Sequence, residues 1–363
     1  MKIVLVIDSL KGCLSSASAE EAARRGAVQA CPDAEVVCIP ASDGGEGMLE
    51  AFTAATGGLL RQADIHDPLM RPIRAAYGMS ADKRTAVIES AQASGLMLLR
   101  QEELNPLKAT SFGTGELIAD ALRQGCQRLI VGLGGSATSD AGKGMLQALG
   151  ADISDKEIDT SRFLLKQYPA EVTVASDVQN PLYGPAGAAH VFAPQKGASP
   201  AMVARLDEAA RAFAALTAAH TGHDYACCPG AGAAGGMGFA LMAYMQAEIR
   251  PGADLLLDMA GFDATLQGAD LVITGEGSAD RQTLMGKLPL RVMQRAAKHH
   301  VPTALIAGRI EDRELLLAAG FSSAESINPP ELTQEEAMQE ETARQNIATT
   351  VIRLTSLLTA CRN

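Results

Sequence analysis

Short apolar runs alternate along the chain with segments whose apolar residues recur at helical spacing. Apolar runs without polar alternation are typical of strands that are buried on both faces. Each run is followed by a polar or glycine-rich turn and then by a helical pattern, which predicts a parallel sheet with right-handed crossovers. The predicted strands are residues 3–7, 35–40, 129–133, 172–175, 271–274 and 303–307.

Two helices carry clear end signals. Ser18, followed three residues later by Glu21, fits a capping box at the start of a helix that runs to about residue 30. Ser199 and Pro200 fit the N-cap and first position of a long helix, and Gly222 suits its end. The other predicted helices occupy residues 48–56, 111–121, 239–245, 289–298 and 333–358, with one more after residue 140.

The regular alternation is interrupted twice. Residues 65–77 have the pattern of strands joined by proline-containing turns, which predicts a domain boundary there. Residues 152–169 are polar and weakly patterned, and they are predicted to be a connection. A chain of 363 residues most simply forms two domains of ordinary size.

The stretch from residue 129 to 150, LIVGLGGSATSDAGKGMLQALG, combines a strand, a glycine turn and a helix. Glycine lets the backbone approach an anion closely, and the N–H groups and dipole of a helix N-terminus attract it. Gly134, Gly135 and Ser136 are therefore candidates for binding phosphate or carboxylate. The alternative is tight packing, because many α/β proteins need such a turn for that reason alone.

Four predicted strands end in polar or charged residues. In an open parallel sheet these ends share the carboxyl edge, where ligands bind. Carboxylates gathered there bind Mg²⁺ or repel one another, and neighbouring cations suit a phosphate or a substrate carboxylate. The alternatives are helix caps for the carboxylates and solvated loops for the lysines. The carboxylates are Asp8, Asp43, Glu46, Glu276 and Asp280, the cations are Lys11, Arg281 and Lys287, and the glycines are Gly275, Gly277 and Gly308.

Three further candidates lie beside turns. Asp140 follows the glycine turn but also suits a helix cap. Asp177 follows a strand and precedes Asn180-Pro181, which is an ordinary turn signal. Lys196, between Pro194 and Gly197, suits either an anion site or a solvated loop. The six histidines have no metal-ligand spacing, and we assign none of them to catalysis.

Charge and composition narrow the function classes. The net charge of −11, the aromatic content of 4% and the absence of Trp oppose binding to nucleic acid or to an anionic membrane. No apolar run approaches the roughly 18 residues of a membrane span. The seven cysteines form no C-x-x-C pair and are typical of reduced thiols. We therefore predict a cytoplasmic protein with small-molecule partners and neither nucleic-acid nor membrane partners.

Several familiar nucleotide-binding motifs are missing. The chain contains no G-x-x-x-x-G-K-[ST], no G-x-G-x-x-G opening the first helix, and no H-R-D or D-F-G. The residues alone therefore predict a two-domain α/β enzyme that acts on a phosphorylated or carboxylated small molecule.

Eight motifs occur in order along the chain: DSLKG, DGGEG, TSFGTGELI, GLGGSATSDAG, SDVQNPLYGPAGA, FAPQKGA, PGAGAAGGMG and VITGEGSADRQTLMGK. Together they resemble the bacterial glycerate kinases that make 2-phosphoglycerate, over essentially the whole chain. The resemblance implies an α/β fold with a Rossmann-like parallel-sheet domain built from both chain ends, residues 1–70 and 265–363. A second α/β domain, residues 71–264, would be inserted between them.

The resemblance also implies a reaction and its participants. ATP and D-glycerate would be the substrates and Mg²⁺ the cofactor, in glycerate, glyoxylate or sugar-acid breakdown. Assembly as a homo-oligomer is left open. Mg²⁺ would be held by Asp43, Glu276 and Asp280, while Lys11 and Lys287 would neutralise the charge on the transferred phosphate.

The remaining candidates are expected to bind substrate. The 134–136 turn and Lys196 would hold an anionic group, either the carboxylate of glycerate or a phosphate. One of Asp8, Asp43 or Asp177 would orient the acceptor hydroxyl. The residues that complete the set predicted to contact substrate or phosphate are Asp140, Gly275 and Gly277.

Three alternatives stand beside this interpretation. A kinase for another small hydroxy acid would share the same parts. A dinucleotide-dependent oxidoreductase would also use glycine turns and an α/β sheet, but the chain lacks its fingerprint. A non-catalytic binding protein would bind ATP or glycerate without releasing ADP, and the carboxylates and lysines at the strand ends argue against it.

Overall fold

The computed structural model describes residues 1–10, 12–39 and 47–360. Within these ranges the strands are β1 (Lys2–Ile7), β2 (Glu35–Cys38), β3 (Leu59–His66), β4 (Pro72–Met79), β5 (Thr85–Glu89), β6 (Arg128–Gly132), β7 (Asp152–Ile153), β8 (Ile158–Asp159), β9 (Glu171–Ala175), β10 (Glu248–Arg250), β11 (Leu271–Ala279), β12 (Thr303–Ile310) and β13 (Ser323–Ser326). The α-helices are α1 (Ser16–Ala30), α2 (Met48–Thr56), α3 (Ala91–Ser94), α4 (Phe112–Arg123), α5 (Lys143–Ala148), α6 (Ala188–Phe192), α7 (Pro200–Thr221), α8 (Met237–Met245), α9 (Gly252–Met259), α10 (Phe262–Thr265), α11 (Leu288–Lys298), α12 (Arg313–Ala319), α13 (Gln334–Ala337) and α14 (Glu340–Ala360).

The chain divides into two units, each with its own large sheet. The described residues up to 39 and from 253 onward form the first unit, and residues 47–252 form the second. The predicted α/β fold class is therefore confirmed, with one parallel sheet built from both chain ends. The predicted boundaries at residues 70 and 264 both lie further along the chain than these divisions. The first division comes earlier because β3 pairs along its whole length with β4 in the second unit's sheet.

The first unit is a parallel sheet with strand order β13-β12-β11-β1-β2. Successive side chains of a strand point to opposite faces, and β1 is apolar on both. Ile3, Leu5 and Ile7 pack with α1 and α14, whereas Val4 and Val6 pack with α9 and α11. Helices on both faces explain why this strand is a continuous apolar run in the sequence.

The second unit is a mixed sheet with strand order β10-β9-β6-β5-β4-β3. β10, β9, β6 and β5 are parallel, and β5, β4 and β3 are antiparallel neighbours. The strands and turns predicted over residues 65–77 belong to the β3–β4 hairpin. Met145, Leu146 and Leu149 are fully buried in this unit's core, as their helical spacing predicts.

Several predicted ends differ from the observed ones. The capping box at Ser18 is wrong: α1 begins at Ser16, and Ser15 is its N-cap, with its hydroxyl accepting from the Ser18 N–H at 3.2 Å. The earlier start is favoured by a tertiary contact, because the Ser16 hydroxyl donates to the carbonyl oxygen of Ile7 at 2.6 Å. Glu21 instead pairs with Arg24 and Arg25 on the helix surface.

β11 and β12 are both longer than predicted. β11 continues through the G-E-G-S-A segment, which the sequence predicted to be a turn, and Glu276 pairs with Ala307 of β12. β12 likewise continues through Gly308 and Arg309. The glycines permit this because a Cβ on Gly308 would lie 2.7 Å from the Gly277 carbonyl oxygen.

Three smaller differences have local causes. The predicted connection at residues 152–169 contains the two-stranded β7–β8 hairpin. The tail predicted as one helix forms α13 and α14, with Thr333 capping α13. Within the described ranges, no helix combines the length and the apolar character that a membrane span needs.

The contact between α1 and α14 generates a stability prediction. A methyl group on Gly26 would overlap the backbone oxygen of Ala348 in α14. Helix propensity alone predicts that Gly26→Ala stabilises by about 1 kcal/mol. We expect the overlap to prevail, so that Gly26→Ala lowers the free energy of unfolding by about 1–3 kcal/mol in urea titration. Gln29→Ala, on the exposed face of the same helix, is the control, and an unchanged or raised stability of Gly26→Ala would contradict the close packing.

Candidate active site

The carboxyl edge of the first sheet gathers residues from both ends of the chain. β1 lies between β2 and β11, so the chain leaves β1 on one side and returns on the other. Such a switch point is where open α/β sheets bind ligands. Asp8 follows β1 directly, and its backbone N–H donates to the carbonyl oxygen of Gly275 in β11 at 2.9 Å. This bond fixes Asp8 next to the strand that carries Glu276.

Glu276 is a buried carboxylate with hydrogen bonds to both oxygens, and only 7% of the residue is exposed. Its Oε1 accepts from the Thr283 hydroxyl at 2.6 Å, and its Oε2 accepts from Lys287 Nζ at 2.9 Å. The Thr283 oxygen in turn accepts from the backbone N–H of Asp280 at 3.0 Å. A buried charge is tolerated when it is paired and hydrogen-bonded in this way. The network therefore holds one negative and one positive group in a defined geometry.

Lys287 occupies the N-cap of α11 and is partly exposed. The first turn of a helix leaves backbone N–H groups without intrahelical partners and carries the positive end of the helix dipole. An anion at this point would meet both the ammonium group and the helix end. Glu276 is the anion that Lys287 contacts in the structure.

A pocket of about 700 Å³ opens at the same edge of the sheet. Asp8, Glu276, Gly277 and Lys287 all line it, so the structure brings together these predicted site residues from β1 and β11. The end of β12 contributes to the lining as well. Polar groups from parts of the chain that are far apart in sequence therefore meet at this pocket.

Two other predicted residues of this region occupy structural positions. Asp280 caps the short 3₁₀-helix Arg281–Met285, and its Oδ1 accepts from the Gln282 N–H at 2.6 Å. Gly275 lies inside the sheet, where a Cβ would come within 2.6 Å of the Ile306 carbonyl oxygen. Neither residue is among those that line the pocket.

The predicted metal ligands Asp43, Glu276 and Asp280 are not assembled by the residues that the structure describes. Asp43 lies outside those residues, as does Lys11. Within the described ranges no group of three or more His, Cys, Asp or Glu side chains is arranged to hold a metal ion. This ligand set stays a prediction.

The second unit holds a separate polar cluster around Lys196. Only 3% of Lys196 is exposed, and its Nζ donates to the Thr138 carbonyl oxygen at 2.6 Å. Burial lowers the pKa of Lys196 to about 8, and the Asp140 carboxylate opposes that shift. Asp140 Oδ2 accepts from the backbone N–H and the hydroxyl of Ser111, both at 2.8 Å. Asp140 and Lys196 thus fix the loop that follows β6.

The glycine turn itself lies on the surface of this loop. Gly134 and Gly135 are exposed, and Gly135 has φ +69°, which favours glycine. Ser136 is buried, with its hydroxyl 2.9 Å from that of Thr138. α5 begins beyond the turn, at Lys143 rather than directly after Asp140. Asp177 follows β9 and is exposed.

The fold and these contacts can be compared with known proteins. The model of the glycerate kinase family matches residues 3–359. The chain belongs to the glycerate kinase family. It is 42% identical to a glycerate kinase of Bacillus subtilis strain 168, over 93% of each chain, and 43% identical to the glycerate 2-kinase of Escherichia coli K12, over 86% of each. The crystal structure of a Salmonella typhimurium LT2 protein provisionally named glycerate kinase 2 matches it with TM-score 0.90 and 40% identity, covering 100% of this chain and 99% of that one.

Sequence reasoning missed two residues at the strand ends of this glycerate kinase family member. Thr283 orients Glu276, and the signal was its spacing three residues after Asp280, which is that of a helix cap. Glu89 ends β5 in the second unit, is buried, and accepts from the Leu49 N–H of α2 at 3.1 Å. Burial raises the pKa of Glu89. The signal there was a carboxylate directly after the apolar run T-A-V-I.

The end of β1 is held from behind by α1. Glu20 is buried, and its Oε1 accepts from the Ile7 N–H at 3.2 Å, while the Ser16 hydroxyl donates to the Ile7 carbonyl. Among the residues that the structure describes, the second oxygen of Glu20 has no hydrogen-bond partner. Burial raises the pKa of Glu20 to about 8, so the carboxyl is protonated at neutral pH. These bonds position the residue immediately before Asp8.

The Glu20 carboxyl makes stability depend on pH. Between the ordinary value of 4.5 and a pKa of about 8 the folded chain keeps a proton that the unfolded chain has released. The free energy of unfolding therefore falls as pH rises through this window, by at most about 1.4 kcal/mol per pH unit. In urea titrations from pH 5 to 8, Glu20→Gln should lose this part of the slope.

Glu21→Gln is the matched control one residue further along α1. The pKa of Glu21 is lowered to about 2 by its hydrogen bond with Arg24. Its ionisation is therefore nearly complete in both states from pH 6 to 8, and over that range the curve of this variant should run parallel to that of the wild type. A Glu20→Gln curve that also runs parallel would show that Glu20 is ionised in the folded protein.

Proposed function

We propose that this protein transfers the γ-phosphoryl group of ATP to the 2-hydroxyl of D-glycerate, giving 2-phosphoglycerate and ADP. The observation that carries the proposal is the Glu276–Lys287 pair in a pocket at the switch point of a parallel sheet, in a member of the glycerate kinase family. Phosphoryl transfer depends mainly on positioning and on compensating phosphate charge, and these groups suit both tasks.

Lys287 supplies the positive charge for the phosphoryl group. Its ammonium contacts Glu276 at 2.9 Å and remains partly exposed, so a phosphate entering the pocket can share or replace that partner. The positive end of the α11 dipole lies at the same point and adds to the attraction. Glu276 and Thr283 hold the ammonium in place before the substrate arrives.

Two carboxylates of this pocket are the type of ligand that magnesium takes. Mg²⁺ takes one or two carboxylates together with waters and substrate phosphates, and Asp8 and Glu276 both line the pocket from neighbouring strands. We infer that these two residues hold the ion together with Asp43, in place of the predicted Asp280, because Asp280 caps the 3₁₀-helix and does not line the pocket. When bound, the ion neutralises phosphate charge during transfer.

The second unit supplies the groups that we assign to the acid. The exposed turn at Gly134 and Gly135 gives backbone access for a carboxylate, and Lys196, which donates to the Thr138 carbonyl oxygen further along the same loop, adds positive charge to that loop. Of the carboxylates predicted to orient the acceptor hydroxyl, Asp8 lines the pocket of the first unit and Asp177 is exposed in the second.

The reaction is tested by incubating purified protein with Mg-ATP and D-glycerate and measuring ADP release. The product is then passed to enolase, which accepts 2-phosphoglycerate. ADP release with an enolase-competent product is expected. ADP release without such a product would overturn the 2-hydroxyl assignment, and the absence of ADP release would overturn the glycerate kinase assignment.

The charge pair is tested by Glu276→Gln and Lys287→Met. Each removes one charge from the phosphoryl site, and loss of one such group typically lowers kcat by about 10²–10³. Steady-state ADP release with both substrates saturating measures the effect.

Asp64→Asn and Arg74→Met give a matched control in the β3–β4 hairpin. Their ion pair has a similar charge composition, with 3.3 Å between Arg74 Nε and Asp64 Oδ1, but both side chains are largely exposed. Turnover of these variants should stay at the wild-type level. A kcat for Glu276→Gln within a few-fold of the wild type would remove this carboxylate from the mechanism.

A further inference from the structure

The pocket of the first unit has two chemically different halves. One half carries three charged groups, which are Asp8 after β1, Glu276 in β11 and Lys287 at the start of α11. The other half lies beyond the ends of β12 and β13 and is formed by the turn after β1 and the segment from residue 327 to 338. Its apolar lining consists of Leu10, Ile327, Leu332, Ala337 and Met338.

The apolar half has a buried floor and an adaptable wall. Leu10 and Ile327 are buried, whereas Met338 is 42% exposed at the end of α13. The Met338 Cε lies 3.4 Å from the position of a Cβ on Gly12, so this side chain lies over the turn that follows β1. An unbranched, polarisable thioether adapts to the face of a flat ring.

Two side-chain amides add hydrogen-bonding capacity to the apolar half. Asn328 Nδ2 donates to the Gly308 carbonyl oxygen at 2.8 Å, and Asn328 Oδ1 accepts from Asn346 Nδ2 at 3.1 Å. These bonds fix the orientation of the amide. They use one of the two hydrogens on Nδ2 and one of the two lone pairs on Oδ1. Gln334 lines the same half. An amide presents a donor beside an acceptor, which matches the edge of adenine.

The size of the pocket also suits a ligand that has both an apolar and a polar part. Cavities of about 300–1,000 Å³ hold drug-sized ligands, and this one has about 700 Å³. A three-carbon acid is far too small to fill this pocket. The carboxylate and hydroxyl groups of such an acid would make no favourable contact with apolar lining residues. A ligand with a flat apolar end and a polyanionic end matches both halves.

We propose that the apolar half binds the adenine and ribose of ATP, which makes the first unit the nucleotide-binding unit. The triphosphate then extends toward Lys287 and the start of α11, with Arg309 at the pocket lining as a second cation that now pairs with Glu311 at 2.7 Å. This inference rests on the proposed kinase function and adds the place of the nucleotide to it. It agrees with the position of nucleotides at the switch points of other open parallel sheets.

The first test is steady-state kinetics of Met338→Glu. A carboxylate in the apolar half would replace the apolar contact with the base by a hydrated charged group, so the KM for ATP should rise at least tenfold while the KM for D-glycerate stays within twofold. Met97→Glu is the matched control, because Met97 is 97% exposed and belongs to the second unit, and it should change neither constant. A rise in the KM for D-glycerate with no rise for ATP would overturn the proposal.

The second test separates nucleotide binding from catalysis. Saturation-transfer NMR with adenosine measures binding to the base subsite, and calorimetry with inorganic tripolyphosphate measures binding to the charged half. Met338→Glu should lose the adenosine signal and keep tripolyphosphate binding, whereas Lys287→Met should do the reverse. Adenosine binding that survives Met338→Glu would overturn the subsite.

These outcomes distinguish the two proposals. If the wild type releases no ADP with D-glycerate but its adenosine signal disappears in Met338→Glu, the glycerate kinase assignment fails and the nucleotide subsite stands. If ADP is released but adenosine binds Met338→Glu as it binds the wild type, the kinase stands and the subsite fails.

Discussion

The parallel pairing of β1 with β11 is the constraint on which the first unit depends. Ile3 pairs with Leu271 and Ile7 with Gly275, although the entire second unit lies between them in the chain. This pairing creates the switch point and brings Asp8 to the strand of Glu276. The entropy cost of closing a long loop grows only slowly with its length, so an inserted unit with its own core is compatible with the pairing.

The Glu276–Lys287 pair follows from that arrangement. A mostly buried ion pair is weak support for stability, because desolvation offsets much of the attraction. Its cost is reduced here by the Thr283 hydroxyl, which is itself held by the Asp280 backbone. Such a pair suits a site in which a phosphate competes for the ammonium, because the groups are already oriented and the exchange replaces one anion with another. The D-x-x-T cap thus connects local helix geometry to the proposed chemistry.

The second unit contains a buried lysine whose positive charge has to be compensated. Lys196 is buried with a backbone carbonyl as its hydrogen-bond partner, and its charge is compensated through space by Asp140. The Asp140 carboxylate accepts hydrogen bonds from the Ser111 hydroxyl and from the Gly142 N–H in the loop before α5. The family motifs around the 134–136 turn therefore encode a rigid loop first, and any ligand contact is made on that framework. Buried polar clusters of this kind favour one loop geometry over its alternatives.

The sequence by itself determined the α/β class, the positions of the six strands β1, β2, β6, β9, β11 and β12, and the gathering of polar residues at strand ends, because burial on both faces and glycine turns are local signals. It predicted Glu276 and Lys287 as site residues, and their motif carried the family resemblance. Only the tertiary structure decided that G-E-G-S-A is strand, since pairing with β12 supplies its hydrogen bonds. Only the tertiary structure likewise made Asp280 a cap and Thr283 its link to Glu276, because those contacts depend on where the chain turns after β11. The sheet order, which sets the pocket and its two halves, is a long-range property that no window of residues contains.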